Sequence, residues 1–162
     1  MQENFEKAYG YAIYILGLKL RTEGEMREKL RNRKHNHKII DEVISRLVEN
    51  KYIDDQRYAE VYLDNLKKYK NFGFFGIKKK LMEKRLSMEL IGRVLSEGLS
   101  AEEEKVIAER VIASERKRTK TVDRDKDRRG IFGLAMAEKQ KIANKLKSRG
   151  FRGDIIAKSL FD

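Results

Sequence analysis

Six apolar positions recur three times along the chain in a fixed register, and this constrains the fold more than any other feature. Met26, Leu30, Ile39, Ile40, Val43 and Ile44 map at an offset of 51 residues onto Ile77, Leu81, Leu90, Ile91, Val94 and Leu95. A further offset of 65 reaches Ile142, Leu146, Ile155, Ile156, Ser159 and Leu160, where Ser159 alone breaks the apolar columns. Spacings of three and four within each set mark one buried helix face, and self-similarity at a fixed register marks an array of supersecondary units. A basic column runs beside the apolar one, through Lys29, Lys80 and Lys145 and through Arg33, Lys84 and Arg149.

The first helix of each unit repeats at other offsets, Tyr11-Ala12 onto Tyr58-Ala59 at 47 and onto Ile107-Ala108 at a further 49. The difference places four extra residues between the first and second helices of unit two and sixteen in the same connection of unit three. That last connection holds the charged stretch 117–129, readable as helix or as loop. Start signals agree with the parse. Thr22-Glu23-Gly24-Glu25 and Ser100-Ala101-Glu102-Glu103 are capping boxes, Asp54 or Asp55 caps before Arg57, and Ser87 caps before Glu89. The second helix should end near Arg33. The expectation is an all-α, elongated, curved array of three tandem three-helix, helix-turn-helix-like repeats over 1–53, 54–98 and 99–162. Each repeat is small for an independent core and should depend partly on its neighbour.

Composition supports helix and removes much chemistry. Roughly eight prolines would be usual in a chain this long, and there are none among the 162 residues. The absence of cysteine excludes disulfides, thiolate nucleophiles and cysteine-based zinc or iron–sulfur sites. His35 and His37 lack a third ligand and read as solvent-facing. No phosphate-cradling glycine motif or serine nucleophile elbow appears. Asp54 and Asp55 read as helix caps, with a salt bridge from Arg57 as an addition, rather than as an acid/base or magnesium pair. We therefore expect no catalytic residue, cofactor, metal or small-molecule substrate. The longest nearly apolar run, Tyr11 to Leu18, is eight residues, against roughly 20 for a membrane-spanning helix. The acidic opening Met1-Gln2-Glu3-Asn4-Phe5-Glu6 differs from the basic start of a secretion signal, and the expected location is cytoplasmic.

The net charge of +12 is concentrated. Residues 67–86 carry eight Lys/Arg and one acid, 116–129 eight and three, and 139–152 six and none, while the rest of the chain sums to −6. Such stretches attract polyanions and acidic protein surfaces, although a helix with Lys opposite apolar residues also makes an ordinary solvated face. Tyr11 and Tyr58 share a repeat column and read as packing. Tyr69, Phe72, Phe74 and Phe75 lie among lysines around Asn71-Phe72-Gly73-Phe74-Phe75-Gly76, a pattern suited to nucleic-acid or protein contact. At least two of those phenylalanines should be buried.

The segment Leu20-Arg21-Thr22-Glu23-Gly24-Glu25-Met26-Arg27-Glu28-Lys29-Leu30 resembles the first-unit pattern of the RecX family, bacterial regulators of the RecA recombinase. Asp54-Asp55-Gln56-Arg57-Tyr58-Ala59 is similar to that family's central signature. Gly73, eight residues before Leu81, and Arg149-Gly150-Phe151 are similar to its central glycine and final Arg-Gly-Phe. Two departures stand out: Lys80 where the family has an acid, and Lys84-Arg85-Leu86 where it has Lys-Gly-Ile. The resemblance implies a partner, the RecA recombinase filament with its single-stranded DNA, double-stranded DNA being a further candidate. It also implies suppression of strand exchange and co-protease activity in DNA repair and recombination. Charge density nominates Lys67, Lys68, Lys70, Lys78, Lys79, Lys80, Lys84 and Arg85 with Lys145, Lys147, Arg149 and Arg152 as the contact set. The rival reading is a sequence-independent helical DNA- or RNA-binding protein without a recombinase partner, since basic second helices of three-helix units also suit DNA reading.

Overall fold

In a computed structural model, which describes residues 2–122 and 131–161, the regular structure is entirely helical. The helices are α1 (Gln2–Leu18), α2 (Glu23–Asn32), α3 (His37–Glu49), α4 (Asp55–Asn65), α5 (Phe74–Glu83), α6 (Met88–Gly98), α7 (Ala101–Val122), α8 (Ile131–Ser148) and α9 (Gly153–Phe161). A five-residue π-helical turn, Leu66–Lys70, follows α4 directly. Of the charged stretch 117–129, the part up to Val122 continues α7, and 123–129 lies outside the described residues.

The repeat columns are the core. Every apolar member of the three sets is buried, and Ser159, the one polar member, is half-buried with its Oγ lacking a hydrogen-bond partner. The backbone repeats with them. Lys34, Arg85 and Gly150, at the same offsets of 51 and 65, all end a second helix in the left-handed region, at φ 62°, 58° and 75°. Arg85 thus occupies the position where the family pattern has glycine, in a conformation that disfavours a side chain.

The predicted starts and stops form as hydrogen bonds. Thr22 and Glu25 make both halves of a capping box, and α2 ends at Asn32 with Arg33 as its C-cap. Asn36 Oδ1 accepts from the Ile39 amide at 2.9 Å, Ser87 Oγ from Leu90 at 3.2 Å, and Ser100 Oγ from Glu103 at 3.1 Å. Asp54 Oδ1 accepts from the Arg57 backbone amide at 2.9 Å; the guanidinium of Arg57 makes no ion pair among the described residues.

The chain divides into two compact units, Met1–Tyr62 with Leu81–Gly92, and Leu63–Lys80 with Arg93–Asp162. In the first, α1, α2 and α3 bury Ala8, Ala12, Ile15, Met26, Leu30, Ile40, Val43 and Leu47 in one cluster. In the second, α7, α8 and α9 pack together around Ile107, Val111, Ile112, Ile142, Leu146, Ile155, Ile156 and Leu160. No described helix is long and apolar enough to cross a membrane.

Candidate partner and nucleic-acid surface

In the second unit, the segment from the π turn into α5 is fastened to the turn between α8 and α9. Gly73 N–H donates to the Arg149 carbonyl at 3.1 Å and Phe75 N–H to the Gly150 carbonyl at 2.8 Å. Arg149 Nη1 donates to the Lys70 and Asn71 carbonyls at 2.6 and 3.3 Å. The backbones approach so closely that a Cβ on Gly73 would lie 2.4 Å from Phe151 Cα. Gly150, at positive φ, would set a side chain against Gly76 N at 2.0 Å. The glycines of the signature are therefore required by contact, and Phe151 by burial.

Glu104, fully buried on α7, organises the same junction. Its Oε1 accepts from the backbone amides of Phe74 and Arg152, each at 3.0 Å, and its Oε2 from Arg152 Nε at 2.5 Å. One carboxylate thus satisfies the start of α5 and the approach to α9, where the first amides of a helix lack intrahelical partners. Sequence reading missed it, because Glu104 sits among three consecutive acids in the first turn of α7 and its partners are 30 and 48 positions away.

The first unit has a comparable junction. Thr22 is buried, and its hydroxyl donates to the Lys84 carbonyl at 2.5 Å. Glu23 N–H donates to Asp55 Oδ1 at 2.8 Å. Burial pushes the Asp55 carboxyl above its ordinary range, only partly offset by the Glu23 amide. Lys84 Nζ pairs with Glu25 at 3.3 Å and lies 5.6 Å from the centre of the Tyr62 ring. Burial would lower the Lys84 pKa, but the Glu25 hydrogen bond and charge outweigh it and the net direction is upward. Arg85 pairs with Glu28 at 2.6 Å. The signature residues Asp54, Asp55, Tyr58 and Ala59 are thereby placed as caps and packing: Ala59 is fully buried, and half-buried Tyr58 rests against Tyr62 with ring centres 5.9 Å apart.

The twelve nominated cations fall into different groups. Lys84 and Arg85 belong to the first unit and the other ten to the second. Lys67 is committed to Glu103, Asp64 and the Gly98 carbonyl, Lys84 to Glu25, Arg85 to Glu28 and Arg152 to Glu104. Arg149 is spent on backbone carbonyls, and Lys80 is half-buried. Lys68, Lys70, Lys78, Lys79, Lys145 and Lys147 make no side-chain hydrogen bond or ion pair among the described residues. These six are all in the second unit.

Of the aromatics beside them, Tyr69 is 75% exposed and Phe75 56%, whereas Phe72 and Phe74 are half-buried rather than enclosed. Tyr11 is half-buried beneath the Arg33 guanidinium, 3.8 Å from its ring centre. Two further basic grooves stand out: one, lined by Lys7, Arg33 and His35, escaped the charge count, and one runs along α7 past Arg110, Ser114, Lys117 and Arg118, the last two within the basic stretch 116–129. Balanced charge over 1–66 hid the first, because Lys7 is on α1 whereas Arg33 and His35 lie in the turn between α2 and α3. No group of three residues suited to hold a metal ion occurs among the described residues.

The sequence model of the RecX first three-helix domain matches residues 8–47. A regulatory protein RecX of Bacillus cytotoxicus is 30% identical over 154 residues, covering 95% of this chain and 53% of that protein. One from Clostridium acetobutylicum is 30% identical over 150 residues, covering 93% and 65%. The chain spans about half the length of the first of these relatives. The crystal structure of RecX from Lactobacillus salivarius matches with a TM-score of 0.81 at 23% identity, over 98% of this chain and 96% of that one. Every relative named here is a regulatory protein and none is named as an enzyme. The capping box of the first repeat, the Asp-Asp-x-Arg-Tyr-Ala signature and the glycine junction all lie within the aligned length, and the chain belongs to the RecX family.

Proposed function

We propose that this chain is a non-catalytic cytoplasmic regulator that binds the RecA recombinase and its DNA filament and modulates, mainly by inhibiting, recombinase and co-protease activity. The observation that carries this reading is family membership extending over 95% of the chain. The six uncommitted lysines of the second unit support it, since Lys neutralisation of phosphates supplies salt-dependent affinity for DNA. The three repeats 1–53, 54–98 and 99–162 are the units that would present such contacts, with Lys67, Lys84, Arg85 and Arg152 holding the scaffold and the uncommitted lysines meeting the filament.

Sedimentation of labelled protein with recombinase filaments, free recombinase and bare single-stranded DNA, at two salt concentrations, tests it. The expected result is co-sedimentation strongest with the filament. Equal, steeply salt-dependent binding to bare single-stranded DNA and no gain from recombinase would instead assign a sequence-independent nucleic-acid binder.

A further inference from the structure

The π turn and the first turn of α5 present two aromatic–lysine couples that the scaffold described above does not need. Tyr69 is 75% exposed and has exposed Lys68 and Lys70 on either side of it in sequence. Phe75 is 56% exposed and stands three and four positions before Lys78 and Lys79, the spacing that puts side chains on one helix face. Neither ring serves the core. Large apolar groups left in water on a rigid support point to a binding role.

The support is rigid on both sides. Leu66 is buried at the start of the π turn, and Lys67 is held by Glu103 and the Gly98 carbonyl at 3.1 and 2.7 Å. The far end of the turn is gripped by Arg149 through the Lys70 carbonyl, and the Phe75 amide by the carbonyl of the adjacent Gly150. One turn of chain, Arg149-Gly150, therefore anchors the backbone of both couples. Phe74 meets the Phe75 ring edge-on at 5.3 Å between centres and orients it. Single π-helical turns such as Leu66–Lys70 are rare and are frequent at functional sites.

We propose that Tyr69 and Phe75 are stacking platforms for two bases of a single-stranded nucleic acid, with Lys68, Lys70, Lys78 and Lys79 contacting the phosphates beside them. Single-stranded nucleic acid is the occupant that matches both features, because every base offers a π face and every nucleotide a negative charge, so exposed rings interleaved with uncommitted lysines serve both. An acidic protein surface would match the lysines and leave the rings unexplained. The inference rests on the DNA-contacting part of the function proposed above and assigns it to named side chains.

The test is fluorescence anisotropy of the full chain with labelled oligothymidylate and with an abasic strand of equal length. Wild type should bind the base-bearing strand more tightly than the abasic one. Tyr69→Ala and Phe75→Ala should each weaken binding to oligothymidylate by about 5- to 160-fold, the range of one lost base–aromatic stack, and leave abasic binding unchanged. Tyr69→Phe should bind like wild type. Tyr69→Ala alters an exposed side chain, and an unchanged circular dichroism spectrum and melting temperature will show that it folds. The inference is overturned if wild type does not distinguish the two strands or binds neither, or if both alanine variants bind oligothymidylate normally. It is also overturned if the alanine variants lose affinity for the recombinase filament alone, which would assign the rings to protein. Failure of filament co-sedimentation with base-dependent oligonucleotide binding intact would remove the recombinase reading and leave the stacking site standing.

Discussion

Replacing Glu104 by Ala should destabilise the second unit more than any other single change to a charged side chain. The carboxylate is fully buried and accepts three hydrogen bonds, from the amides of Phe74 and Arg152 and from Arg152 Nε. Removing one partner of a buried ion pair costs about 3–5 kcal/mol, because the other charge stays desolvated without compensation. The Arg152 side chain is 30% exposed and can turn partly to water, which places the expected loss at about 3 kcal/mol, the lower end of that range. At about 4–8 °C per kcal/mol for a unit of this size, the transition of that unit should fall by about 12–24 °C. Glu104→Gln keeps an acceptor for the two amides and loses the charge, so it should cost less. Its neighbour Glu103, paired with Lys67 and 50% exposed, is the internal control: Glu103→Ala should cost about 1 kcal/mol through its capping and surface-pair roles. Thermal and urea unfolding followed by circular dichroism reads all three. If Glu104→Ala is no more destabilising than Glu103→Ala, the carboxylate does not organise the junction and the reasoning fails.

Three other outcomes follow from the same geometry. Gly10→Ala lies within α1 with nothing in reach of the added methyl and should stabilise by about 0.5–1 kcal/mol, whereas Gly73→Ala drives a methyl into the Phe151 backbone and should cost about 1–3 kcal/mol; melting temperatures of the pair moving in the same direction would contradict the packing. Thr22→Ala removes the cap of α2 and the hydrogen bond to the Lys84 carbonyl, with an expected loss of about 1–2 kcal/mol that Thr22→Ser largely restores. Asp55 and Glu103 should tilt stability against pH in opposite senses. Burial raises the Asp55 pKa, so the folded state holds that proton more tightly and its contribution declines as pH rises through the carboxylate range. The Ser100 amide and Lys67 lower that of Glu103, whose contribution is present above the unfolded pKa and lost as pH falls through the folded one. Urea midpoints from pH 3 to 7 should show a shallower acid-side loss for Glu103→Gln and a steeper one for Asp55→Asn.

Much of the fold was legible because burial in helices is periodic. The register of Met26, Ile77 and Ile142 needed only the spacing of apolar residues, and the caps at Thr22, Ser87 and Ser100 only local donors and acceptors within three residues. The resemblance to RecX was carried by residues that prove to be structural, since Asp54 caps, Ala59 is buried and Gly73 and Gly150 permit close backbone contact. The contact surface was less legible. Counting charge along the chain cannot tell a committed cation from a free one, and the pairs Lys67–Glu103, Lys84–Glu25, Arg85–Glu28 and Arg152–Glu104 join residues 36 to 59 positions apart. The π turn was equally hidden, because Leu66–Lys70 continues the α4 pattern and its widening has no local signature. Tyr69 could be singled out among lysines by sequence, but its exposure could not.

The central claim is regulation of a recombinase, and RecA-promoted strand exchange on single-stranded DNA, with this protein added at amounts stoichiometric to the filament, tests it most directly. The account predicts that strand exchange falls and that the fall is weakened when Lys68, Lys70, Lys78 and Lys79 are changed together to Gln. Strand exchange and the accompanying ATP hydrolysis unchanged by wild-type protein at those amounts would contradict it.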